Sequence, residues 1–252
     1  MKLNLYYNAG RILFSLGLLC IGINHLIFGV FPAGLEPVAV AINGVKGLAY
    51  TTGVLIIAGA VLILFTAGQE RLAGVWLLFI VFLLILLLMQ LPKALQDSSN
   101  AGIWTGFFEV LAVISGLFFI AAKALPGKPA LLPVGRFLLI VAMLVFGALH
   151  IMYARYIVTL IPPWLPLRSV LNAVVIAGFF GAALSLLLKR WVSQVTVLLA
   201  GMFFIWFIVL HLPRSIAARN LEAEWTSAFL ALSMSGVALL AGANAKPGKS
   251  LS

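Results

Sequence analysis

The fold is decided by a stretch of sequence that this chain contains twice. Residues 10–31 read GRILFSLGLLCIGINHLIFGVF, and residues 135–156 read GRFLLIVAMLVFGALHIMYARY. The two stretches align without a gap at an offset of 125 (135 − 10), which pairs His25 with His150. Self-similarity over this distance predicts that the chain is built from two related structural units.

Two further repeated motifs support the duplication. Leu91-Pro92-Lys93 returns as Leu212-Pro213-Arg214, and Trp104-Thr105 returns as Trp225-Thr226, both at an offset of 121 (212 − 91). The order of landmarks is the same in both halves, so chance is a poor explanation. The sequence therefore predicts two units of four helices each, residues 1–126 and 127–252.

Composition places the chain in a membrane. Apolar residues make up 64% of the sequence and charged residues only 9%, with a mean hydropathy of +1.20, whereas soluble domains carry about 25% charged residues. A helix needs about 20 apolar residues to cross a bilayer, and charge-poor stretches of that length recur along the chain. We predict an all-α polytopic membrane protein with eight transmembrane helices, near Ala9–Phe31, Leu48–Thr66, Leu72–Leu91, Ile103–Ala122, Phe137–Tyr153, Ser169–Leu188, Trp191–Leu212 and Trp225–Ala241.

The net charge of +10 does not indicate a nucleic-acid partner, because the basic residues stand at the ends of apolar spans instead of clustering on a polar segment. This pattern is typical of the positive-inside bias. With eight spans, both termini and the even-numbered connections share one side, and we expect that side to be the cytoplasm. It holds ten basic residues, Lys2, Arg11, Arg71, Lys123, Lys128, Arg136, Lys189, Arg190, Lys246 and Lys249, against six on the other, Lys46, Lys93, Arg155, Arg168, Arg214 and Arg219.

The even number of spans per unit also sets the symmetry. Both units enter the membrane from the same side, so the repeats are predicted to be parallel.

The first span recurs inside the chain, where no signal peptidase acts, and we expect it to be retained as a helix. The outer connections are the longer ones. One of them, Ile161–Pro166, is apolar and proline-rich, and we expect it to pack against the mouth of the bundle or along the interface.

A family resemblance lies in the Gly-Arg pair that opens each repeated stretch and the Gly-x-x-His that follows it. The second half is the fuller match: residues 150–166 read HIMYARYIVTLIPPWLP, and His211-Leu-Pro and Glu224-Trp-Thr come later. In these features the chain resembles the DoxX-like family of bacterial membrane proteins. The resemblance covers nearly the whole chain, as two fused four-helix units.

The first half departs from the family pattern. Glu36-Pro37 stands in place of the Pro-Pro-Trp stretch, Gln90 in place of His211, and Ile103 in place of Glu224. These departures favour the second half as the location of any single site. The resemblance implies a bacterial inner-membrane subunit of a quinone-linked redox system with a redox partner subunit, as in the family members associated with thiosulfate:quinone oxidoreduction.

Polar residues within the spans are the candidates for a site. Under the predicted topology, His25 and His150 lie about two turns inside the outer ends of their spans, and His211 and Gln90 close two other spans. Glu109 lies about one and a half turns into span four, so all five share the outer third of the bilayer. An ionised residue at the centre of a span costs about 2.5–3.5 kcal/mol, so Glu109 is expected to be neutral, paired or close to water.

A quinone-type site is the favoured interpretation of these residues. An imidazole would donate a hydrogen bond to a ring carbonyl oxygen and take up protons on reduction. We predict that His150, His211 and Glu109 carry the chemistry. The residues predicted to hold the ligand are His25, Gln90, Trp104, Gly147, Tyr153 and Trp164.

Other interpretations stay open. Haem b between His25 and His150 has the right ligand chemistry, but nothing else in the sequence marks a haem pocket. A metal site using the three histidines is disfavoured, because they lack a local i, i+4 spacing. The titratable residues also have structural explanations. Glu109 can be a neutral carboxyl hydrogen-bonded across helices, His25 and His150 buried imidazoles bonded to neighbouring groups, and His211 an interfacial residue at a helix end.

The single cysteine, Cys20, excludes one mechanism. Passing a disulfide within the chain needs a pair of thiols, so electrons would have to come through a partner subunit or a bound cofactor. Two alternatives to the redox subunit remain. One is a small-solute or lipid transporter, which parallel repeats and a buried carboxylate would also suit, and the other is a non-catalytic membrane assembly subunit.

Overall fold

The computed structural model describes residues 2–128 and 130–245, and in these the chain is helical and contains no strand. Eight of the described helices are long and apolar enough to cross a membrane, which confirms the predicted fold class. Lys246 and Lys249, assigned above to the cytoplasmic side, lie outside the described residues. The eight helices are α1 (Lys2–Phe28), α2 (Lys46–Phe65), α3 (Gly68–Gln96), α4 (Ala101–Ala124), α5 (Leu131–Met152), α6 (Arg168–Leu188), α7 (Val192–Ala217) and α8 (Glu222–Ala243).

Several helices extend beyond the apolar stretches that predicted them. α1 begins at Lys2 instead of Ala9, and α3 and α7 continue to Gln96 and Ala217. Hydropathy marks only the part of a helix that lies in hydrocarbon, whereas backbone hydrogen bonding continues into the polar interface. The predicted ends therefore fall short where the sequence becomes polar before the helix stops.

Short helices occupy the connections at one end of the bundle. Residues Val40–Asn43 lie between α1 and α2, and residues Ala154–Leu160 lie between α5 and α6. We call this end, where the odd-numbered helices finish and the even-numbered ones start, the distal end. It is the end that the charge pattern assigns to the outside.

The eight helices form a ring with twofold pseudosymmetry. Each helix packs against its two neighbours in the chain, α8 closes the ring against α1, and α4 meets α8 across the centre. Matching the first four helices with the last four maps each contact of the ring onto another and the central α4–α8 contact onto itself. The division into residues 1–126 and 127–252 stays a prediction, because the first helix of each proposed unit packs against the last helix of the other.

The same irregularity occurs at equivalent positions of α3 and α7. A π-helical segment covers Leu86–Gln90 in α3 and Phe207–His211 in α7, at the offset of 121 (207 − 86). Each is followed by a six-residue α-helical segment that carries the repeated Leu-Pro pair. A π segment is rare and is often found at functional sites, so its recurrence is a strong structural mark of the repeat.

The tryptophans at the distal starts of α4 and α8 also match. The Trp104 Nε1 donates to the Ser98 carbonyl oxygen at 2.7 Å, and the Trp225 Nε1 donates to the Arg219 carbonyl oxygen at 3.1 Å. In both cases the indole pins the preceding loop to the helix. The repeated tryptophan therefore has a structural role in each half.

The α1–α8 and α4–α5 contacts join the two units, and we call them seams. Small residues bring the two helices of each seam close together. A methyl group on Gly10 in α1 would lie 2.9 Å from the carbonyl oxygen of Gly236 in α8. At the equivalent seam, a methyl group on Gly135 in α5 would lie 3.1 Å from the carbonyl oxygen of Ser115 in α4. Helices in lipid approach closely where residues are small, which explains why the glycine before each repeated arginine recurs.

Candidate functional site

A cavity of about 450 Å³ opens among α4, α5, α6, α7 and α8 in the distal half of the bundle. Glu109, His150 and His211 line it together. Its walls are mainly apolar and include six aromatic side chains, Phe146, Tyr153, Tyr156, Phe179, Phe203 and Trp206. A few polar groups within an apolar enclosure of this size is the usual composition of a small-molecule site.

His150 is held in place by Asn172 of α6. The His150 Nδ1 lies 2.8 Å from the Asn172 Oδ1, and the Asn172 Nδ2 donates to the His150 carbonyl oxygen at 3.3 Å. The edge of the imidazole meets the ring of Phe179, with 5.2 Å between centroids. These contacts fix the plane of the imidazole at the cavity wall.

His211 is the last residue of the π segment in α7. Its Nδ1 is buried without a hydrogen-bond partner among the described residues. Both Leu210 and His211 of this segment line the cavity. The π segment of α7 thus contributes a second imidazole to the cavity wall.

Glu109 projects from α4, on the face that it shares with Thr105 and Gly106. All three residues line the cavity. Within residues 2–128 and 130–245, the Glu109 carboxyl has neither a hydrogen bond nor an ion pair, and it is only half-buried. Its oxygens are therefore available to whatever occupies the cavity.

Four further residues were predicted to hold a ligand, and the structure places one of them at the cavity and three outside it. Tyr153 lines the cavity, and its hydroxyl donates to the Ser99 carbonyl oxygen at 3.2 Å. Gly147 is covered by the ring of Phe180, which would lie 2.8 Å from an added methyl group. Trp104 packs beside the cavity on the rings of Phe107 and Phe108, and Trp164 points away with 68% of its surface exposed.

His25 and Gln90, the first-half counterparts of His150 and His211, do not reach the cavity. His25 is fully buried, with its Nδ1 2.8 Å from the Ile21 carbonyl oxygen and its Nε2 3.1 Å from the Glu36 Oε1. Both ring nitrogens are engaged within the protein, so His25 has none to offer a haem iron while these bonds persist. The Gln90 amide donates to the carbonyl oxygens of Gly34 and Leu35, each at 2.9 Å.

The region of the first half that corresponds to the cavity is packed shut. Phe31 and Leu35 are buried there with Glu36, and Phe31 is only 3% exposed, whereas its repeat mate Tyr156 is 64% exposed. The chain following α1 folds inward over His25. The same architecture therefore gives a filled core in one half and an open cavity in the other.

One residue explains where the two halves diverge. Gly29 follows α1 with φ of +64°, a left-handed conformation that favours glycine, and its amide caps the helix by donating to the His25 carbonyl oxygen at 2.9 Å. The equivalent residue after α5 is Ala154 (154 − 29 = 125), which instead begins a new helix. The turn at Gly29 directs residues 31–36 inward, whereas the helix that starts at Ala154 borders the cavity without filling it, through Tyr156, Ile157 and Leu160.

Two contributors to this region were missed from sequence, Asn172 and Glu36. Asn172 is the sole amide side chain in the apolar α6, and an isolated amide in a span is a signal for a buried polar partner. Glu36 was noted as a departure from the family pattern but not as the partner of His25. Both depend on contacts between segments that sequence spacing does not reveal.

An ion pair also joins α7 to α8 near the cavity. Arg214 Nη2 lies 2.6 Å from Glu224 Oε1, and both side chains are partly exposed. A partly exposed pair contributes little stability, so its main effect is to neutralise the Glu224 carboxylate beside the distal rim.

Among the described residues, no cluster of three or more His, Cys, Asp or Glu has the geometry of a metal site.

No family model, no curated protein and no solved structure matches this chain. The resemblance to the DoxX-like family thus depends on the repeated residues themselves and stays a prediction. What the cavity can do is inferred from its own geometry.

Proposed function

We propose that this membrane protein binds a lipid-soluble quinone-type molecule in the second-half cavity. The proposal includes its role as a DoxX-like inner-membrane subunit of a quinone-linked redox system. The volume of about 450 Å³ and the aromatic walls suit a flat ring. His150, His211 and Glu109 would bind its oxygens and exchange protons with it.

The observation that carries this proposal is the difference between the two halves. The first half shows that the fold has a way to fill this position with its own side chains, Phe31, Leu35 and Glu36. The equivalent cavity stays open, and His150 and His211 of the second half line it together with Glu109 of α4. An unfilled apolar volume costs packing energy, so a ligand that fills it would also stabilise the protein.

The source of electrons lies outside this chain. Cys20 is the only cysteine in the sequence, so the chain has no dithiol with which to reduce a quinone. We infer that a partner subunit or a further bound cofactor supplies electrons at the distal end. The part of the reaction assigned to this chain is to bind the ring, orient it and move protons.

The proposed orientation places the cavity near the outer surface of the bacterial inner membrane, with both termini in the cytoplasm. It rests on the ten-to-six excess of basic residues derived above. A reporter fused to the C-terminus that is active only in the cytoplasm tests it. Activity of a periplasm-specific reporter at that position would reverse the orientation.

The test of binding uses the full-length protein purified in detergent. Quinone is extracted and quantified from wild type and from the H150A, H211A and W164A variants, with a short-chain quinone added where the endogenous pool has been lost. We expect the two histidine variants to lose most of the bound quinone and W164A to retain it, because Trp164 lies outside the cavity. Wild-type levels in H150A and H211A, with unchanged melting temperatures, would refute the site.

A small-solute or lipid transporter is the second candidate. It is favoured by the π segments at Leu86–Gln90 and Phe207–His211, which interrupt two spans at equivalent positions and would allow these helices to bend. Solute or lipid flux in liposomes without a redox partner would favour this function. If His150, His211 and Glu109 variants alter only stability, the chain is an assembly subunit.

A further inference from the structure

The hydrogen-bonding role of His150 is set by Asn172. The Asn172 Nδ2 is a donor and lies against the His150 carbonyl oxygen, so the Asn172 Oδ1 is the atom that faces the imidazole. An amide oxygen only accepts. The His150 Nδ1 must therefore carry the proton of that 2.8 Å hydrogen bond.

The other ring nitrogen of His150 is then an acceptor. In a neutral imidazole with its proton on Nδ1, Nε2 carries a lone pair and no hydrogen. His150 lines the cavity, and its Nε2 has no hydrogen-bond partner in the described part of the chain. A ligand that bonds to this atom must bring the proton itself.

Three of the four hydroxyl groups that line the cavity donate their protons to the backbone, and the fourth belongs to Tyr156, whose side chain is 64% exposed. The Thr105 hydroxyl donates to the Ala101 carbonyl oxygen at 2.9 Å, and the Ser227 hydroxyl donates to the Ala223 carbonyl oxygen at 2.9 Å. The Tyr153 hydroxyl donates to the Ser99 carbonyl oxygen at 3.2 Å. A hydroxyl has only one proton to give, so each of these groups meets a ligand as an acceptor.

We propose that the cavity selects the reduced, hydroxyl-bearing form of its ligand, a hydroquinone whose O–H donates to the His150 Nε2. The inference rests on the proposed function and assigns the redox state that is bound. It makes Asn172 a positioning residue, which acts on the ligand through His150. It also reverses the role predicted from sequence, in which the imidazole donates to a quinone carbonyl.

Three probes of nearly the same shape separate the possibilities. Full-length protein in nanodiscs, stripped of endogenous quinone, is titrated with a short-chain ubiquinol, the matching ubiquinone, and the dimethyl ether of that ubiquinol. The ether keeps the aromatic ring but has no O–H to donate. We expect the quinol to bind at least about tenfold more tightly than either of the others, the effect of one lost hydrogen bond to a buried group.

The outcomes distinguish the two proposals. Quinone or dimethyl ether binding as tightly as quinol would overturn the selection of the reduced form and leave the quinone-type site in place. Failure of all three probes to bind would overturn the proposed function and the inference with it. Quinol preference supports both.

The role of Asn172 is tested with a matched pair of variants. N172L removes the acceptor at the His150 Nδ1, whereas N172Q keeps a neutral amide. We expect N172L to lose the preference for quinol and N172Q to retain it. Preference that is unchanged in N172L would contradict the positioning role.

A spectroscopic measurement keeps the proposal falsifiable if N172L does not fold. The ¹⁵N chemical shifts of His150 in the wild-type protein, assigned by comparison with a His150→Gln variant, report which ring nitrogen carries hydrogen. We expect a protonated Nδ1 and an unprotonated Nε2. A proton on Nε2 would overturn the inference, whatever the binding data show.

Discussion

His25 and His150 occupy equivalent positions 125 residues apart (150 − 25), and their Nε2 atoms have opposite surroundings. Each donates from Nδ1, His25 to the Ile21 carbonyl oxygen and His150 to Asn172, at 2.8 Å in both cases. The Nε2 of His25 meets Glu36, whereas that of His150 borders the cavity. One half of the repeat thus satisfies its histidine internally, and the other leaves it free for a ligand.

The His25–Glu36 contact predicts a stability difference between two substitutions of Glu36. Because the His25 Nδ1 already donates to a carbonyl, one proton must lie between its Nε2 and the Glu36 Oε1. Glu36→Gln keeps a donor at this position and is expected to cost less than about 1 kcal/mol. Glu36→Leu leaves a buried nitrogen without a partner and is expected to cost about 1–3 kcal/mol.

Reversible unfolding of the purified protein in mixed micelles measures both changes in the free energy of unfolding. An equal loss in the two variants would show that the hydrogen bond contributes nothing and that packing alone explains the buried pair.

The turn at Gly29 predicts a second effect on stability. Gly29→Ala is expected to destabilise the protein by about 1–2 kcal/mol, because an L-residue is strained at positive φ. The added methyl group would also lie 2.9 Å from the Tyr50 hydroxyl. Gly47→Ala is the control, since an added methyl group there meets no atom within 4 Å. The melting temperatures of the two variants test this prediction. A Gly29→Ala protein as stable as the Gly47→Ala control would contradict the role of the turn.

The spans and the repeat were predictable because the signals for them are local. Apolar stretches of about 20 residues define the helices, and the recurring Gly-Arg and Leu-Pro pairs define the duplication. The structure then shows why these residues recur. The glycine before Arg11 lies at a tight helix seam, and Leu91-Pro92 follows a π segment.

The candidate site was predictable only in part. Glu109, His150 and His211 were selected because titratable residues are rare in spans, and they line one cavity. The separation of His25 from them depends on how residues 29–36 fold over α1, which hydropathy does not encode. Asn172 was missed for a related reason, since its pairing with His150 depends on the register between α5 and α6.

The seam between α1 and α8 predicts a large effect from a small substitution. A methyl group on Gly236 would lie 2.6 Å from the Gly10 carbonyl oxygen and closer still to the Phe14 backbone. Gly236→Ala should therefore destabilise the protein by about 1–3 kcal/mol, the usual cost of overpacking. Gly201→Ala in α7 is the matched control, because nothing lies within 4 Å of its added methyl group. Similar melting temperatures for the two variants would contradict the close packing of this seam.

Filling the cavity with an apolar side chain should displace the ligand, although no polar side chain is substituted. Ala231 of α8 lines the cavity, and Ala231→Phe would occupy part of its volume. We expect this variant to retain less than about a tenth of the wild-type quinone. Leu198→Phe, on the exposed face of α7, controls for the added bulk. Equal quinone content in the two variants would place the ligand elsewhere.

Cross-linking with a photoreactive quinone locates the ligand most directly. The purified full-length protein is illuminated with an azidoquinone, and the labelled peptides are mapped by mass spectrometry, with excess unlabelled quinol as competitor. We expect competable label in the segments around His150 and Trp206, and none in the segment around His25. Competable label confined to the segment around His25, or spread over lipid-facing residues, would contradict a quinone site in the second-half cavity.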